Sequence, residues 1–264
     1  MTEILCKKKG VPMEIFDLTD KVAMVTGSTK GLGENSAMAL AKAGANVAVC
    51  GRNTTDMKRV SQAIKDLGRE SSGFVLDVTS KESVRRGVDK IMEYFGRIDI
   101  LVNNAGLNHR EPVVDYPEEA WDLVINTNLK GYFLVGQAVA PHMLEQGYGK
   151  VINMSSILGK IALPNQLAYA SAKGGVVQMT KIMALEWAKK GIRVNAIAPT
   201  YFETEMVKPI RDDPERFDFI NTRTPMGRWG HLPEMEGLVI FLAAPASDFI
   251  TGQTIYIDGG WTIA

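Results

Sequence analysis

The sequence predicts one doubly wound α/β domain, in which parallel strands alternate with helices that cover both faces of a sheet. Short apolar runs recur along the chain, and each is followed by a segment with helical periodicity, which is typical of βαβ units. The runs are apolar throughout rather than alternating, so both faces of the sheet should be buried. The 264 residues are 45% hydrophobic and 23% charged, and they contain no linker, repeat or low-complexity segment. One large domain therefore fits better than two small ones.

The first half of the chain contains four strand patterns. An apolar run at 21–26 leads into a glycine-rich turn, and a helical pattern follows over 32–43. Gly44 stands where a helix commonly ends on a residue with positive φ. Thr54 or Thr55 can cap the second helix. The further predicted strands are 46–50, 73–77 and 98–102, and the further helices run from 54 to about 68 and from 80 to 95.

The second half continues the alternation and then becomes irregular. Residues 199–224 carry no sustained periodicity, so only short helical pieces are expected there. Residues 1–15 are expected to form a flexible tail ahead of a domain at 16–264, and Lys7-Lys8-Lys9 belongs to that tail. The predicted helices are 118–146, 166–190 and 233–243, and the predicted strands are 150–154, 192–197 and 254–257.

Charge and cysteine content exclude several classes of function. The 30 Lys and Arg residues balance 30 Asp and Glu residues, whereas a nucleic-acid-binding surface needs a basic face. No run approaches the roughly 18 apolar residues of a membrane span, and the first 13 residues lack the apolar core of a signal peptide. Cys6 and Cys50 have no metal-ligand spacing and suit a reducing compartment. We therefore expect a cytoplasmic protein without metal, nucleic-acid or membrane partners.

A glycine-rich loop follows the first strand and opens the first helix. It reads Thr26-Gly27-Ser28-Thr29-Lys30-Gly31-Leu32-Gly33. Glycines let the backbone approach a pyrophosphate, and the N-terminus of a helix favours its negative charge. The strand-turn-helix context makes a dinucleotide site the natural interpretation of this loop.

Tyr169 and Lys173 lie four residues apart and so share one face of a predicted helix. An ammonium group beside a phenol favours the phenolate, so the pKa of Tyr169 is expected to fall and the residue to act as an acid or base near neutral pH. The same spacing also occurs in many helices as a pair of solvated neighbours. Other motifs in the chain are needed to distinguish a catalytic pair from a solvated one.

Five motifs together resemble the short-chain dehydrogenase/reductase family. They are the glycine loop at 26–33, the Asn103-Asn104-Ala105-Gly106 segment, Asn128, Ser156 and Tyr-x-x-x-Lys at 169–173. The resemblance extends from about Phe16 to the C-terminus. It implies a Rossmann fold with a doubly wound sheet of seven parallel strands and helices on both faces. It also implies a substrate loop at about 199–230 and an oxidoreductase that acts on CH–OH groups with a nicotinamide cofactor.

The resemblance also implies catalytic roles. Tyr169 would give a proton to a ketone or take one from an alcohol, and Lys173 would lower its pKa and hold the nicotinamide ribose. Ser156 would hydrogen-bond the substrate oxygen, and Asn128 would hold a water that links Lys173 to solvent. The thirteen-residue gap to Tyr169 selects Ser156 over its neighbour, which could cap a turn, and Asn126 is the alternative to Asn128.

The cofactor expected is NADP(H), with NAD(H) possible. The second strand ends in Cys50-Gly51-Arg52-Asn53, without the carboxylate that would favour NAD, and Arg52 and Lys30 could hold a 2′-phosphate. They could instead be solvated surface cations, and Asp77 could be only a helix-capping carboxylate. Thr200 stands where the family usually has glycine. The predicted cofactor contacts are Gly27, Thr29, Lys30, Gly31, Leu32, Gly33, Arg52, Asp77, Val78, Asn104, Ala105, Gly106, Tyr169, Lys173, Pro199, Phe202 and Thr204.

Substrate clues point to a sugar acid or polyol. Gluconate 5-dehydrogenases and related keto-deoxy-gluconate dehydrogenases resemble this chain at Arg110, at 227–230 and at 258–261. Arg110 could clamp a carboxylate or simply pair with Glu111 or Asp115. Gln166 and the residue before it could bond sugar hydroxyls or cap the helix. The predicted substrate contacts are Arg110, Ser156, Tyr169 and Tyr201.

The leading interpretation is an NADP(H)-dependent oxidoreductase that interconverts a secondary alcohol and a ketone on a small-molecule substrate. The alternatives are a 3-oxoacyl-carrier-protein reductase, a reductase of steroids or other bulky ketones, and a non-enzymatic dinucleotide sensor. A homotetramer is expected, because the family assembles through the helices that carry Asn128 and Tyr169 and through the last helix and strand. Apolar residues are also expected to cover more of the Tyr169 helix than one core-facing stripe requires, which would leave apolar surface for subunit contacts. These residues are Val176, Val177, Met179, Ile182 and Met183.

Overall fold

The structure is a computed structural model that describes residues 14–264. The lysine run and nearly all of the expected tail lie outside the described residues. The seven strands are β1 Val22–Thr26, β2 Asn46–Gly51, β3 Ser71–Val75, β4 Ile100–Asn103, β5 Gly149–Met154, β6 Ile192–Pro199 and β7 Thr254–Ile257. The α-helices are α1 Gly31–Lys42, α2 Thr54–Asp66, α3 Lys81–Phe95, α4 Glu118–Ile125, α5 Gly131–Gln146, α6 Leu167–Trp187, α7 Lys208–Arg211, α8 Pro214–Arg223 and α9 Pro233–Ala243.

All seven strands form one parallel sheet in the order β3-β2-β1-β4-β5-β6-β7. The order reverses between β1 and β4, so the connections that follow these two strands leave toward opposite sides. A crevice opens at such a switch point beyond the carboxyl ends of the strands, and ligands of doubly wound folds bind there. The predicted fold class is confirmed, and the glycine loop lies at this crevice because it directly follows β1.

Two apolar cores enclose the sheet, one on each face. The first is formed with α1, α2 and α9 and contains Leu40, Val60 and Val239. The second is formed with α3, α5 and α6 and contains Val88 and Val135. Strands β1, β4 and β5 are buried along their whole length, which explains their continuous apolar sequence. No helix of the described residues is long and apolar enough to cross a membrane.

Several predicted boundaries were wrong for local reasons. The third strand ends at Val75 rather than Asp77, because Asp77 Oδ1 accepts hydrogen bonds from the amide and hydroxyl of Thr79 and folds the chain into a turn. The second helix is capped by Asn53, whose side chain accepts from two amides of the first turn, and not by either threonine. The region 199–224 contains the expected short helices, α7 and α8.

The long helix predicted at 118–146 is divided. A π-helical turn, Asn126–Lys130, separates α4 from α5, and such turns often mark functional sites. A π-turn inserts an extra residue into the helical register, which periodicity alone did not predict. The helix predicted at 166–190 ends at Trp187 and continues as one turn of 3₁₀ helix.

The apolar residues of α6 divide between the core and the surface. Val176 and Met183 are buried in the monomer, so the prediction that they widen the outer face was wrong. Ile182 remains exposed, and Leu185 on the same helix is 80% exposed. The outward apolar face of α6 is therefore narrower than the sequence indicated.

Candidate active site

The glycine loop packs too tightly for side chains at two of its glycines. A Cβ atom on Gly33 would lie 2.2 Å from the carbonyl oxygen of Gly27 and 2.3 Å from Asn104 Nδ2. Gly27 has φ +61°, and a Cβ there would lie 2.9 Å from Ala105 Cα. The loop is thus pressed against the start of the segment that follows β4.

Asn104 holds this junction together. Its Nδ2 donates to the carbonyl oxygens of Thr26 and Gly27 at 3.0 and 3.1 Å, and its backbone amide donates to Thr26 Oγ1 at 2.9 Å. Its amide therefore supports the glycine loop from behind. Lys30, at the N-cap of α1, makes no capping bond through its side chain, so first-turn amides of α1 are available to an anion. These residues fit the pyrophosphate of a dinucleotide.

Arg59 is a support of the loop that sequence reasoning missed. Its guanidinium makes two bonds of 2.7 Å to the carboxylate of Glu34 and one of 3.0 Å to the carbonyl oxygen of Thr29. The hydrogen bonds to Glu34 raise the pKa of Arg59. An Arg and a Glu 25 residues apart gave no local signal in the sequence.

Two cations lie beyond the carboxyl ends of β1 and β2. Lys30 and Arg52 are both exposed, and none of the ion pairs among residues 14–264 includes either of them. The pKa of Asp77 is lowered mainly by hydrogen bonds from Thr79. The nearby charge of Arg52 lowers the pKa of Asp77 further. Val78 is buried and packs against Gly131 at the start of α5. Both cations are therefore free to meet a phosphate at this end of the crevice.

Tyr169 and Ser156 come together at the other end of the crevice. Tyr169 lies in the first turn of α6, and Ser156 is the second residue after the end of β5. Both side chains line one cavity, and Ser156 is near enough to Tyr169 to help lower the pKa of the phenol. Ser156 Oγ accepts a hydrogen bond from the amide of Leu158 at 3.2 Å. Ser155 is turned away and donates to the carbonyl oxygen of Lys173 at 3.1 Å. Of the two serines, Ser156 is the one that lines the cavity with Tyr169.

The expected fall in the pKa of Tyr169 was wrong for this structure. Burial raises the pKa of Tyr169 to about 12, although Ser156 and the charge of Arg110 act in the opposite direction. Desolvation disfavours the phenolate more than its neighbours favour it. Tyr169 is therefore a protonated phenol at neutral pH, which is the form that can donate a proton.

Lys173 does not hydrogen-bond the Tyr169 hydroxyl in this structure. Its Nζ donates to the carbonyl oxygen of Met154 at 2.6 Å and to Tyr132 Oη at 3.3 Å, and it lies 5.5 Å from the centre of the Tyr169 ring. Burial lowers the pKa of Lys173 to about 7. Such a group can exchange a proton near neutral pH. Tyr132, 41 residues from Lys173, was not predicted as a neighbour.

Asn128 lies in the π-turn, where its side chain is fully buried. Its Nδ2 donates to the carbonyl oxygens of Leu107 and Val124 at 2.8 and 2.9 Å. Its Oδ1 is a buried acceptor without a partner among the described residues. A Cβ atom on Gly106 would lie 2.5 Å from that oxygen, so glycine is required there. Asn126, the alternative, is only partly buried.

A cleft that is open to solvent and contains about 610 Å³ of empty space lies beside Ser156 and Tyr169. Arg110 lines it, and its charge reaches both Tyr169 and Tyr201. Among the ion pairs of residues 14–264 none includes Arg110; Glu111 instead lies 4.0 Å from His109. The remaining lining residues are Leu32, Asn108, Ile157, Leu158, Gln166, Pro199, Thr200, Tyr201, Phe202, Thr204 and Val207.

The wall after β6 is aromatic. The Tyr201 ring lies 5.4 Å from that of Trp229 and 5.7 Å from that of Trp261, so the C-terminal segment supports the cavity. Phe202 is buried and forms an isolated bridge with Gly230. Thr200 does not have a positive φ. Among the described residues other than glycine, positive φ occurs at Asp20 and Asn165.

The chain matches known proteins over nearly its whole length. Residues 27–262 match a family model described as "Enoyl-(Acyl carrier protein) reductase". The chain is 43% identical over 255 residues to 2-dehydro-3-deoxy-D-gluconate 5-dehydrogenase of Bacillus subtilis, covering 96% of this chain and 98% of that one. It is 39% identical over 251 residues to gluconate 5-dehydrogenase of Gluconobacter oxydans, with coverages of 95% and 98%.

A solved structure extends the similarity to three dimensions. Gluconate 5-dehydrogenase from Burkholderia cenocepacia, in complex with NADP and tartrate, superposes with a TM-score of 0.93 at 41% identity. The match covers 95% of this chain and 98% of that one. The glycine loop, the crevice and the cavity thus belong to an architecture shared with this protein.

Proposed function

Since the chain belongs to the short-chain dehydrogenase/reductase family, we propose that it is an NADP(H)-dependent oxidoreductase that interconverts a secondary alcohol and a ketone on a sugar acid. One observation carries the proposal. The cavity that holds Tyr169 and Ser156 is also lined by Arg110, a cation without a carboxylate partner among the described residues. Proton transfer and recognition of an acid therefore meet in one site.

Tyr169 donates the proton in ketone reduction. Its raised pKa keeps it protonated, and because Ser156 lines the same cavity, both hydroxyls can reach the same substrate oxygen. Ser156 stabilises the charge that develops on that oxygen. NADPH, when bound, supplies the hydride, and the chain's own task is to orient the carbonyl and to give the proton. In alcohol oxidation the Tyr169 oxygen must first pass its own proton on toward Lys173, and as a phenolate it then takes the proton of the alcohol.

Lys173 and Asn128 continue the path of the proton. Lys173 has a pKa near 7 and lies beside the Tyr169 ring, so it can replace the proton that the tyrosine loses. Asn128 Oδ1 is a buried acceptor with a free lone pair, which suits it to hold the water of a relay to solvent. The NADP(H) contacts follow the geometry described, with the glycine loop at the pyrophosphate, Lys30 and Arg52 at the 2′-phosphate, and Pro199, Phe202 and Thr204 at the nicotinamide end.

Arg110→Ala is expected to lower kcat/KM for keto acids by about 10-fold to 100-fold, because a charge-assisted hydrogen bond to the carboxylate is lost. A neutral ketone of the same length should lose less than about threefold. Steady-state kinetics with both substrates measure the difference. The matched control is Arg69→Ala, which removes an arginine just before β3, at the end of the sheet away from the crevice. An unchanged preference for the acid would rule out the clamp.

The alternatives fit the cavity less well. An acyl chain or a steroid would lie against Arg110 and the amides of Asn108 and Gln166 without pairing with them, and unpaired buried polar groups are costly. A dinucleotide sensor has no need of Tyr169, Ser156 and Lys173 together. The free, buried thiol of Cys50 supports a cytoplasmic location, because a reducing compartment keeps thiols reduced.

The working form is a homotetramer. Leu123, Phe133, Ile182 and Leu185 on α4, α5 and α6 are exposed apolar residues, and Phe249 is fully exposed near β7. Such surface is typical of an interface between subunits. Light scattering should give about four times the 28.9 kDa chain mass. A stable monomer at working concentration would contradict this.

A further inference from the structure

Asn108 and Gln166 form a pair of amides on one wall of the cavity that the proton transfer does not use. Asn108 Nδ2 donates to Gln166 Oε1 at 2.8 Å. Gln166 is only 6% exposed, and both residues line the cavity with Arg110 and Tyr169. Asn108 Oδ1 is buried and has no partner among the described residues. A buried acceptor left unpaired costs free energy, so its presence beside a cavity points to a ligand that donates to it.

The pair offers one acceptor and one donor. After the bond between the two amides, Asn108 retains its Oδ1 as an acceptor and Gln166 retains its Nε2 as a donor. If both amides turned over together, the bond between them would persist and the two functions would simply change places. A hydroxyl group donates and accepts at once and is complementary to the pair in either orientation. A methylene group would leave both amides unpaired.

The backbone on each side of the pair is fixed. Gln166 immediately precedes α6, and its carbonyl oxygen accepts from the amide of Ala170 at 2.8 Å. Leu107, next to Asn108, is tied through its carbonyl oxygen to Asn128 Nδ2. The pair is therefore held in place relative to Tyr169 on α6, as a specificity site requires.

Building on the proposed function, we propose that the Asn108–Gln166 amide pair binds a hydroxyl group of the substrate and selects polyhydroxylated acids over ketones that lack hydroxyls. Arg110 then binds the carboxylate of the substrate, and Tyr169 and Ser156 bind its carbonyl oxygen. The amide pair binds a hydroxyl group on the carbon chain of the substrate. A site built to bond a hydroxyl rejects the analogue that lacks it, because its own polar groups are left unpaired.

The test compares 5-keto-D-gluconate with 5-oxohexanoate, which has the same chain length, ketone position and carboxylate but no hydroxyls. Asn108→Leu and Gln166→Leu should each lower kcat/KM for 5-keto-D-gluconate by about 10-fold to 100-fold, mainly through KM. For 5-oxohexanoate kcat/KM should stay within about twofold of the parent value. The double variant should lose little more than either single variant, because each change alone breaks the pair.

Gln62→Leu, which removes an exposed amide on α2, is the matched control and should change neither substrate. NADPH binding, followed by fluorescence, should be the same in all variants and serves as the check on folding. A parent enzyme that turns over 5-keto-D-gluconate no better than 5-oxohexanoate would overturn the sugar-acid function itself. A parent enzyme that prefers 5-keto-D-gluconate, with that preference intact in both single variants, would overturn only the amide pair.

Discussion

Tyr169→Phe is expected to lower kcat for ketone reduction by about 100-fold to 10,000-fold, the usual contribution of a positioned general acid. The ring of Phe fills the same space in the cavity, so only the proton donor is lost. Since burial raises the pKa of Tyr169 to about 12, no phenolate is available at neutral pH in the parent enzyme, and the loss comes from the missing hydroxyl. Single-turnover kinetics at saturating NADPH measure it.

The control for this change is Tyr148→Phe. The Tyr148 hydroxyl is buried without a partner among the described residues, but this tyrosine lies just before β5, at the opposite end of the strands from the crevice. Its loss should leave kcat within about twofold and NADPH affinity unchanged, as surface or remote changes usually do. The affinity of Tyr169→Phe for NADPH should also be nearly unchanged. Retained turnover in Tyr169→Phe would refute the assignment of the acid.

Arg52→Ala is expected to raise KM for NADPH by about 10-fold to 100-fold, because a guanidinium that forks onto a phosphate makes charge-assisted bonds. KM for NADH should change by less than about twofold, since that cofactor lacks the 2′-phosphate. Lys30→Ala should act in the same direction with a smaller effect, because an ammonium meets phosphate as a point charge. The ratio of the two kcat/KM values, with NADPH and with NADH, is the quantity to measure.

Arg69→Ala removes a partly exposed cation that lies before β3, at the amino ends of the strands, and should leave the cofactor ratio as it is. High salt should reduce the parent's preference for NADPH, because exposed charges are screened. An equal rise in both KM values for Arg52→Ala would assign Arg52 to adenine stacking or to the surface, and not to phosphate recognition.

Local sequence predicted the parts of the site that depend on one strand and the element after it. The glycine loop follows β1, and Ser156 follows β5, because the apolar runs and the turn residues mark these ends directly. Tyr169 and Lys173 share a face because they lie on one helix. Such features rest on contacts between near neighbours in the chain, which periodicity and spacing report well.

The features that escaped prediction depend on contacts between distant residues. Asn108 and Gln166 are 58 residues apart, and neither has a motif that announces the other. The direction of the Tyr169 pKa shift depends on how deeply α6 and the substrate loop bury the hydroxyl, whereas the Tyr-x-x-x-Lys spacing reports only the nearby charge. Residue order alone also gave no sign that a π-turn would place Asn128.

The most direct test is a spectrophotometric comparison of the purified parent enzyme and Tyr169→Phe with keto-sugar acids, neutral polyols, acyl thioesters and steroids, each with NADPH and NADH. We expect the parent to oxidise NADPH fastest with a keto-sugar acid, to use NADH less efficiently, and to lose this activity in Tyr169→Phe. Turnover confined to acyl thioesters or steroids, or NADPH binding without turnover of any ketone, would contradict an NADP(H)-linked sugar-acid oxidoreductase.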